Sequence, residues 1–226
     1  MELIQEAIKK GQSTLSEFES KQVLKQYGIP VTSEFVINSA SELKSAIDEL
    51  GFPLVMKGSS SSIAHKTEKG LIVLDIRSAE EAQSAFSELQ AKMEAGDNAV
   101  LVQEMIKGQR ELVIGMTRDP QFGPCVMFGL GGIFTEILRD VSFRVAPLEK
   151  GDAQEMMEEI KGKKILDKVR GMEVVDREVL EKSLIAVGQI GLDYPEIQEI
   201  DINPVKIRKG KPVAVDALIV LKQQQS

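Results

Sequence analysis

Residues 111–148 read ELVIGMTRDPQFGPCVMFGLGGIFTEILRDVSFRVAPL, and this stretch decides the fold class. Short apolar runs alternate in it with turn residues, a pattern that is typical of strands joined by short connections. The strands predicted here are 111–117, 124–129, 133–138 and 143–148. The segment GLGGIF (129–134) has the wrong spacing for a dinucleotide fingerprint and leads into a predicted strand, so it indicates a tight turn or a close backbone approach to a ligand.

Three helices are predicted before this stretch, each from a serine followed three residues later by a glutamate. This spacing is that of a capping box, in which the two side chains bond the first N–H groups of a helix. The pairs are Ser16 with Glu19, Ser39 with Glu42, and Ser78 with Glu81. Amphipathic patterns follow the last two pairs, and Gly28 and Pro30 end the first helix. Strands are predicted at 53–57, 71–76 and 99–105.

Two further helices and a hairpin are predicted after residue 148. The helices cover roughly 150–169 and a stretch that begins near Asp176 and ends at Gly191. The last strands, 196–207 and 212–220, flank the basic turn RKGK and suit a hairpin. Helices and strands do not alternate regularly, so the class is α+β. The loop at 95–98 predicts a division into a helical extension (1–14) and two parts, 15–98 and 99–226.

Composition excludes several classes of function. The net charge of -7 argues against broad nucleic-acid binding, and aromatic residues at 4% offer few stacking platforms. No apolar run reaches transmembrane length, and the first residues lack the apolar core of a signal peptide, so no membrane association is expected. The single cysteine, Cys125, forms no internal disulfide, which favours a cytoplasmic protein.

Two basic residues near the start of the chain are candidates for phosphate chemistry. Lys57 ends an apolar strand just before the loop GSSSS, where its ammonium could meet phosphate oxygens beside backbone N–H groups. A lysine that merely extends its charged end to water fits the same position. His65, the only histidine, lies in this loop and is a nitrogen nucleophile that can be phosphorylated, although an ordinary surface or structural histidine is the alternative.

Polar residues on the last two strands are candidates for a metal site. Asp201 and Asn203 share one face of a strand, and Asp216 lies on the next strand. If the strands pair, Asn203 and Asp216 meet, and a carboxylate with an amide oxygen suits Mg²⁺. The alternative is the polar outer face of an edge hairpin, because Pro204 makes an ordinary central strand less expected.

Taken together, these segments resemble the β subunit of ADP-forming acetate–CoA ligase, a member of the ATP-grasp superfamily. The resemblance covers about residues 15–220. Its successive motifs are SKQVLKQYGIPV, PLVMKGSSSSIAHKTEKG, the long stretch VLVQEMIKGQRELVIGMTRDPQFGPCVMFGLGGIFTEILRDVSFRVAPL, and EIQEIDINPV. The combination of RDPQFGP, GLGGIF and FRVAPL is the most specific part.

The resemblance implies an ATP-grasp fold in which two α+β subdomains hold ATP or ADP between them. Lys57, Lys66 and Gly70 would belong to the nucleotide site, with Lys57 at the phosphates. Glu104, Met105 and Ile106 would meet adenine, and Glu111 would meet the ribose. Asn203 and Asp216 would hold Mg²⁺.

The resemblance further implies a phosphohistidine relay through His65. A partner α subunit would carry the coenzyme A site and its own histidine, most simply in an α₂β₂ assembly. The phosphoryl group would pass from an acyl phosphate to that histidine, then to His65 and then to ADP, with Asp201 orienting the phosphohistidine. The family usually has HKSDxGG around this histidine, whereas HKTEKG stands here.

Two other functions stay open from the sequence. A carboxylate ligase of the same fold would form an acyl phosphate directly and would not need His65. A nucleotide-sensing module would keep Lys57 and the adenine segment but could lose His65 or the metal pair. All of these residues are present in the chain.

Overall fold

The computed structural model describes residues 2–59, 70–93, 99–132, 140–168 and 171–222. Within these residues the α-helices are α1 (Glu2–Lys9), α2 (Glu17–Gln26), α3 (Ala40–Leu50), α4 (Ala79–Lys92), α5 (Lys150–Glu159) and α6 (Arg177–Asp193), with a 3₁₀ turn at Lys163–Leu166. The strands are β1 (Glu34–Ile37), β2 (Leu54–Gly58), β3 (Ile72–Ile76), β4 (Val100–Glu104), β5 (Glu111–Asp119), β6 (Gly123–Leu130), β7 (Val141–Val145), β8 (Ile197–Arg208), β9 (Lys211–Ala214) and β10 (Leu218–Leu221).

The chain divides into two compact units, each with its own sheet. The N-terminal unit comprises 16–18 and 32–106, and the C-terminal unit comprises 1–15, 19–31 and 107–226. This division differs from the expected boundary near 95–98. Strand β4 pairs with both β1 and β2, so it completes the first sheet and the boundary falls after Ile106.

The N-terminal unit is a four-stranded antiparallel sheet in the order β1-β4-β2-β3, packed against α3 and α4. Its core joins one face of each strand to the helices, with Met56, Val102, Leu43 and Phe86 among the buried residues. Because side chains alternate along a strand, Lys57 lies on the opposite face of β2 from Met56.

Both amphipathic helices of this unit begin as the sequence predicts. The Ser39 side chain accepts a hydrogen bond from the N–H of Glu42, and the Glu42 carboxylate accepts one from the N–H of Asn38 at 2.6 Å. In α4 the Ser78 hydroxyl accepts from the N–H of Glu81 at 3.2 Å. These contacts satisfy N–H groups that the first turn of a helix leaves without backbone partners.

The C-terminal unit is built on a six-stranded antiparallel sheet. Five strands follow the order β10-β8-β5-β6-β7, and β9 also pairs with β8. Helices α5 and α6 pack on this sheet. Phe128, Leu184 and Ile202 are buried in its core. Residues 133–138, predicted as a strand, lie outside the described residues.

The predicted long helix after Lys150 is shorter in the structure. Helix α5 ends at Glu159, and the chain turns at Ile160 before the short 3₁₀ turn. The Asp140 carboxylate accepts hydrogen bonds from the N–H groups of Lys161 and Gly162 at 2.7 and 2.6 Å, respectively. This side chain provides the partners that a continued helix would have supplied, so the helix stops there.

The prediction that Gly191 ends α6 is wrong, because the helix continues to Asp193. A Cβ atom at Gly191 would lie 2.8 Å from Cβ of Pro124 and 3.1 Å from Cε of Met116. The glycine therefore allows the helix to approach β5 and β6 closely rather than ending it. The Arg118 guanidinium then bonds the last carbonyls of the helix, at 2.6 Å from Gly191 O and 3.0 Å from Tyr194 O.

The C-terminal hairpin forms around the predicted turn, which has two central residues, but the predicted strand 212–220 is two strands, β9 and β10, separated by residues 215–217. Lys209 and Gly210 both have positive φ, at 49° and 78°, which suits a type I′ turn. Strand β8 nevertheless runs through Pro204 as a central strand, contrary to expectation. The pairing of β5 with β8 shifts register at this point, between Leu112 and Ile114, and the Asn203–Pro204 peptide bond is cis. Among the described residues, no helix is both long enough and apolar enough to cross a membrane.

Candidate nucleotide and phosphoryl-transfer site

Lys57 occupies a fixed and buried position at the end of β2. Its backbone pairs with Ile72 on one side and Leu101 on the other, so the strand cannot shift easily. The ammonium group lies 2.6 Å from an oxygen of Glu17, and the two side chains are only 6% and 2% exposed. A lysine that extends into water is therefore excluded. The structure instead shows an ion pair that sequence reasoning missed.

The loop that carries His65 joins two neighbouring antiparallel strands, β2 and β3, as the sequence predicts. His65 and Lys66 lie outside the described residues. The described ends of the loop are close together, because the N–H of Gly58 donates to the carbonyl of Leu71 at 2.9 Å. Gly70 has a φ of 65°, and its carbonyl accepts from the Lys92 ammonium at 3.3 Å. The loop therefore starts and ends beside Lys57.

The segment predicted to meet adenine begins at Glu104, the last residue of β4. The Glu104 carboxylate accepts from the N–H of Ser33 at 2.9 Å, and the N–H groups of Glu104 and Met105 donate to Ser33 O and Pro53 O, both at 3.0 Å. Ile106 is 3% exposed. An adenine contact from this segment would therefore come from the Ile106 N–H group or from a carbonyl oxygen.

Glu111, the predicted ribose contact, begins β5 in the C-terminal unit. Its carboxylate lies 3.1 Å from the Lys206 ammonium on the neighbouring strand β8. The glycine-rich turn after β6 approaches it closely. A Cβ atom at Gly132, which has a φ of 63°, would collide with the Glu111 carboxylate, and one at Gly131 would lie 2.6 Å from Leu112 O. The close backbone approach that this motif predicts is therefore made to β5.

Asp216, predicted on the last strand, lies instead in the short segment between β9 and β10, which passes the part of β8 that contains Asn203. The register pairs Val205 with Ala214 on one side and Asp201 with Leu218 on the other. Continuing it places Asp216 opposite Asn203. The N–H of Val215 donates to the carbonyl of Pro204 at 3.0 Å, which holds the two segments together there. An amide oxygen opposite a carboxylate fits Mg²⁺, with water or phosphate oxygens as further ligands.

Asp201 lies two residues before Asn203 in an electronegative environment. Burial, together with the negative charges of Glu199 and Asp216, raises the pKa of its carboxyl to about 6. The carboxyl therefore exchanges its proton close to neutral pH. A cation held by the Asn203–Asp216 pair would reduce this local excess of negative charge.

Glu17 is the residue of the site that the sequence did not reveal. It lies between Ser16 and Glu19, so it resembles an ordinary acidic residue in the first turn of a helix. Nothing in the spacing indicates a partner forty residues away. The contact between Glu17 and Lys57 is recognised only in the structure, where β2 is paired with its neighbours and the Lys57 side chain is buried.

The chain is similar to known proteins over almost its full length. Residues 6–221 match the model of the ATP-grasp domain family. The β subunit of ADP-forming acetate–CoA ligase I of Pyrococcus furiosus is 46% identical over 212 residues, which cover 92% of this chain and 91% of that protein. An ADP-forming acetate–CoA ligase of Archaeoglobus fulgidus is 36% identical, and the match covers 99% of this chain and 33% of that longer protein.

Solved structures give the same result. Acetyl-coenzyme A synthetase 1 of Ca. Korarchaeum cryptofilum, in complex with coenzyme A and Mg-AMPPCP, has a TM-score of 0.86 and 43% sequence identity. The match covers 98% of this chain and 99% of that chain. Its phosphohistidine segment points towards the nucleotide binding site.

Proposed function

The chain belongs to the ATP-grasp family, among the β subunits of ADP-forming acetate–CoA ligases, and from this we propose that His65 carries the phosphoryl group in its reaction. The protein is the nucleotide-binding component of an acid–thiol ligase that interconverts acyl-CoA, ADP and phosphate with carboxylate, coenzyme A and ATP. The position of its only histidine in the loop beside Lys57 is the observation that carries the proposal.

His65 acts as the nucleophile. A nitrogen lone pair of the neutral imidazole attacks the γ-phosphorus of ATP, the bond to the bridging oxygen breaks, and ADP leaves. The reverse step returns the phosphoryl group to ADP. Such transfers depend chiefly on positioning and on neutralising the oxygen charges, which explains the lysines and backbone N–H groups around the loop.

We assign the nucleotide contacts to the residues that the family resemblance indicates. Lys57, with Lys66 and Gly70 of the loop, belongs to the phosphate contacts, and the segment 104–106 takes the adenine. Glu111, held by Lys206 and by the glycine turn, takes the ribose hydroxyls. Asn203 and Asp216 hold Mg²⁺, which when bound neutralises phosphate charge. Asp201 accepts a hydrogen bond from the imidazole of the phosphohistidine and orients it.

A partner subunit supplies the rest of the reaction. The relatives named β subunits imply one, and the single-chain relative of which this chain covers 33% is long enough to contain both parts. We assign to this partner the coenzyme A site, the acyl pocket and a second histidine, in an α₂β₂ assembly. A cytoplasmic location fits the single cysteine, which stays reduced there.

Phosphorylation of His65 is the direct test. The full chain, combined with its cognate partner, is incubated with Mg²⁺ and γ-labelled ATP, and the label is mapped by mass spectrometry. Acid-labile, base-stable label on His65 is expected, and His65→Ala should lose both the label and turnover while Mg·ADP binding persists. Base-labile label on a carboxylate would indicate a direct acyl phosphate instead. Turnover that survives His65→Ala would refute the relay.

A further inference from the structure

We propose that Glu17 is a positioning residue that keeps the Lys57 ammonium charged and aimed at the phosphate site. The inference rests on the proposed function, since it deepens the role given there to Lys57. It starts from one contact, the 2.6 Å ion pair between Lys57 Nζ and Glu17 Oε1. Both residues belong to the N-terminal unit, whereas residues 19–26 of α2 belong to the other unit.

Burial makes the carboxylate necessary. An ammonium group that leaves water without a counter-charge is strongly disfavoured, and a buried amine then tends to lose its proton or to turn back towards solvent. The Lys57 side chain is 6% exposed, so it depends on a protein partner for its charge. A neutral amine would bind phosphate oxygens far less well than an ammonium group, because the charge supplies most of the attraction.

The geometry also fixes where the ammonium lies. The backbone of Lys57 is held between β3 and β4, and Glu17 holds the other end of its side chain. Glu17 is itself the first residue of α2, where the helix dipole favours a negative charge. The pair is therefore suited to hold one end of the site in place before the nucleotide arrives.

The test compares Mg·ADP binding with stability in the full chain. We measure dissociation constants by calorimetry and thermal unfolding for wild type, Glu17→Gln, Glu17→Asp, Lys57→Met and the double variant Glu17→Gln/Lys57→Met. Glu181→Gln is the matched control, because Glu181 is a similarly buried glutamate (its side chain is 9% exposed) that pairs with Lys150 in the C-terminal unit.

Glu17→Gln is expected to weaken Mg·ADP binding by about tenfold or more, the effect of losing one charge-assisted hydrogen bond at the phosphates. Glu17→Asp, which keeps the charge on a shorter side chain, should recover part of the affinity. In the Lys57→Met background the Glu17 change should weaken binding no further, because the residue through which it acts is gone. Glu181→Gln should lower stability and leave affinity unchanged.

Two results would overturn the inference while leaving the proposed function intact. Glu17→Gln could lower only the melting temperature, which would make the ion pair purely structural. It could also tighten binding, which would show that the carboxylate competes with phosphate for Lys57. If Glu17→Gln does not fold, two other variants still decide the question. Glu17→Asp keeps both charges of the ion pair, and the double variant Glu17→Gln/Lys57→Met removes both. Wild-type affinity in Lys57→Met, or no binding by wild type, would instead contradict the proposed function.

Discussion

Asp201 is a single residue whose ionisation should be visible in the stability of the whole chain. Burial, Glu199 and Asp216 raise the pKa of its carboxyl from 3.8 to about 6. The folded state therefore holds this proton more tightly than the unfolded state. Stability must fall as the pH rises from about 4 to 6, and the loss is complete above pH 6. A shift of this size corresponds to about 3 kcal/mol at neutral pH.

We predict that Asp201→Asn stabilises the metal-free and nucleotide-free protein at pH 7, because the amide removes a half-buried negative charge without changing the shape. Urea unfolding in EDTA should show a gain approaching about 3 kcal/mol at pH 7 that shrinks to below about 1 kcal/mol at pH 4. Asp48→Asn, at an exposed position of α3, is the control and should change stability little at either pH. A pH-independent gain for Asp201→Asn would contradict the prediction.

The register of the last hairpin was predictable from sequence, because the turn RKGK fixes how β8 pairs with β9. The metal-binding role of Asn203 and Asp216 stays a prediction. The partners of Lys57 and Glu111 were not predictable. Glu17 and Lys206 are far away in sequence, and only the pairing of strands and the burial of charge bring each ion pair together.

At the scale of elements, glycine is the residue that sequence reasoning interpreted least well. Glycine is a poor helix former, and the pattern around Gly191 therefore predicted a helix end. In the structure the helix continues past Gly191. Because glycine has no side chain, the helix can lie close to Pro124 and Met116 at this position. Helix propensity depends only on the local sequence and does not reflect the sheet on which a helix packs. Close packing against that sheet outweighs the low helix propensity of glycine here.

We predict opposite effects for alanine at two helical glycines. Gly191→Ala should destabilise the protein by about 1–3 kcal/mol, because its Cβ atom would lie 2.8 Å from Pro124. Gly151→Ala in α5 should stabilise it by up to about 1 kcal/mol, since no atom lies within 4 Å of the added Cβ and alanine favours a helix. Denaturant unfolding measures both. Stabilisation by Gly191→Ala would show that the helix can move away from the sheet at little cost.

At the scale of the whole molecule, the fold class followed from the sequence, whereas β1, the division of the last strand into β9 and β10, and the boundary between the units did not. Composition near 95–98 indicates a loop, and a loop is a reasonable place to divide a chain. The pairing of β4 with β1 and β2 decides otherwise, because the last strand of the first sheet comes after that loop. Such pairing joins residues more than forty positions apart, beyond any local pattern.

Mg·ADP is expected to bind the folded chain and not the unfolded chain, so it should raise the melting temperature. At about 100 times its dissociation constant, a ligand that binds only the folded state adds about 3 kcal/mol, or roughly 5–10 °C in a chain of this length. The magnesium-dependent part of this shift is the difference in melting temperature between wild type with Mg²⁺ and wild type with EDTA, both with ADP. We predict that Asp216→Ala loses most of this difference. The oxygen opposite Asn203 would be gone, and Mg²⁺ would keep too few protein ligands.

Glu199→Gln separates ligation from general electrostatics in the same experiment. Glu199 is an exposed carboxylate on β8, close to Asp201, and it lies outside the proposed metal pair. If Asp216 binds the metal, Glu199→Gln keeps the magnesium-dependent shift and only Asp216→Ala loses it. Equal losses in both variants would mean that magnesium responds to the summed negative charge of this strand face, and Asp216 would no longer be a ligand.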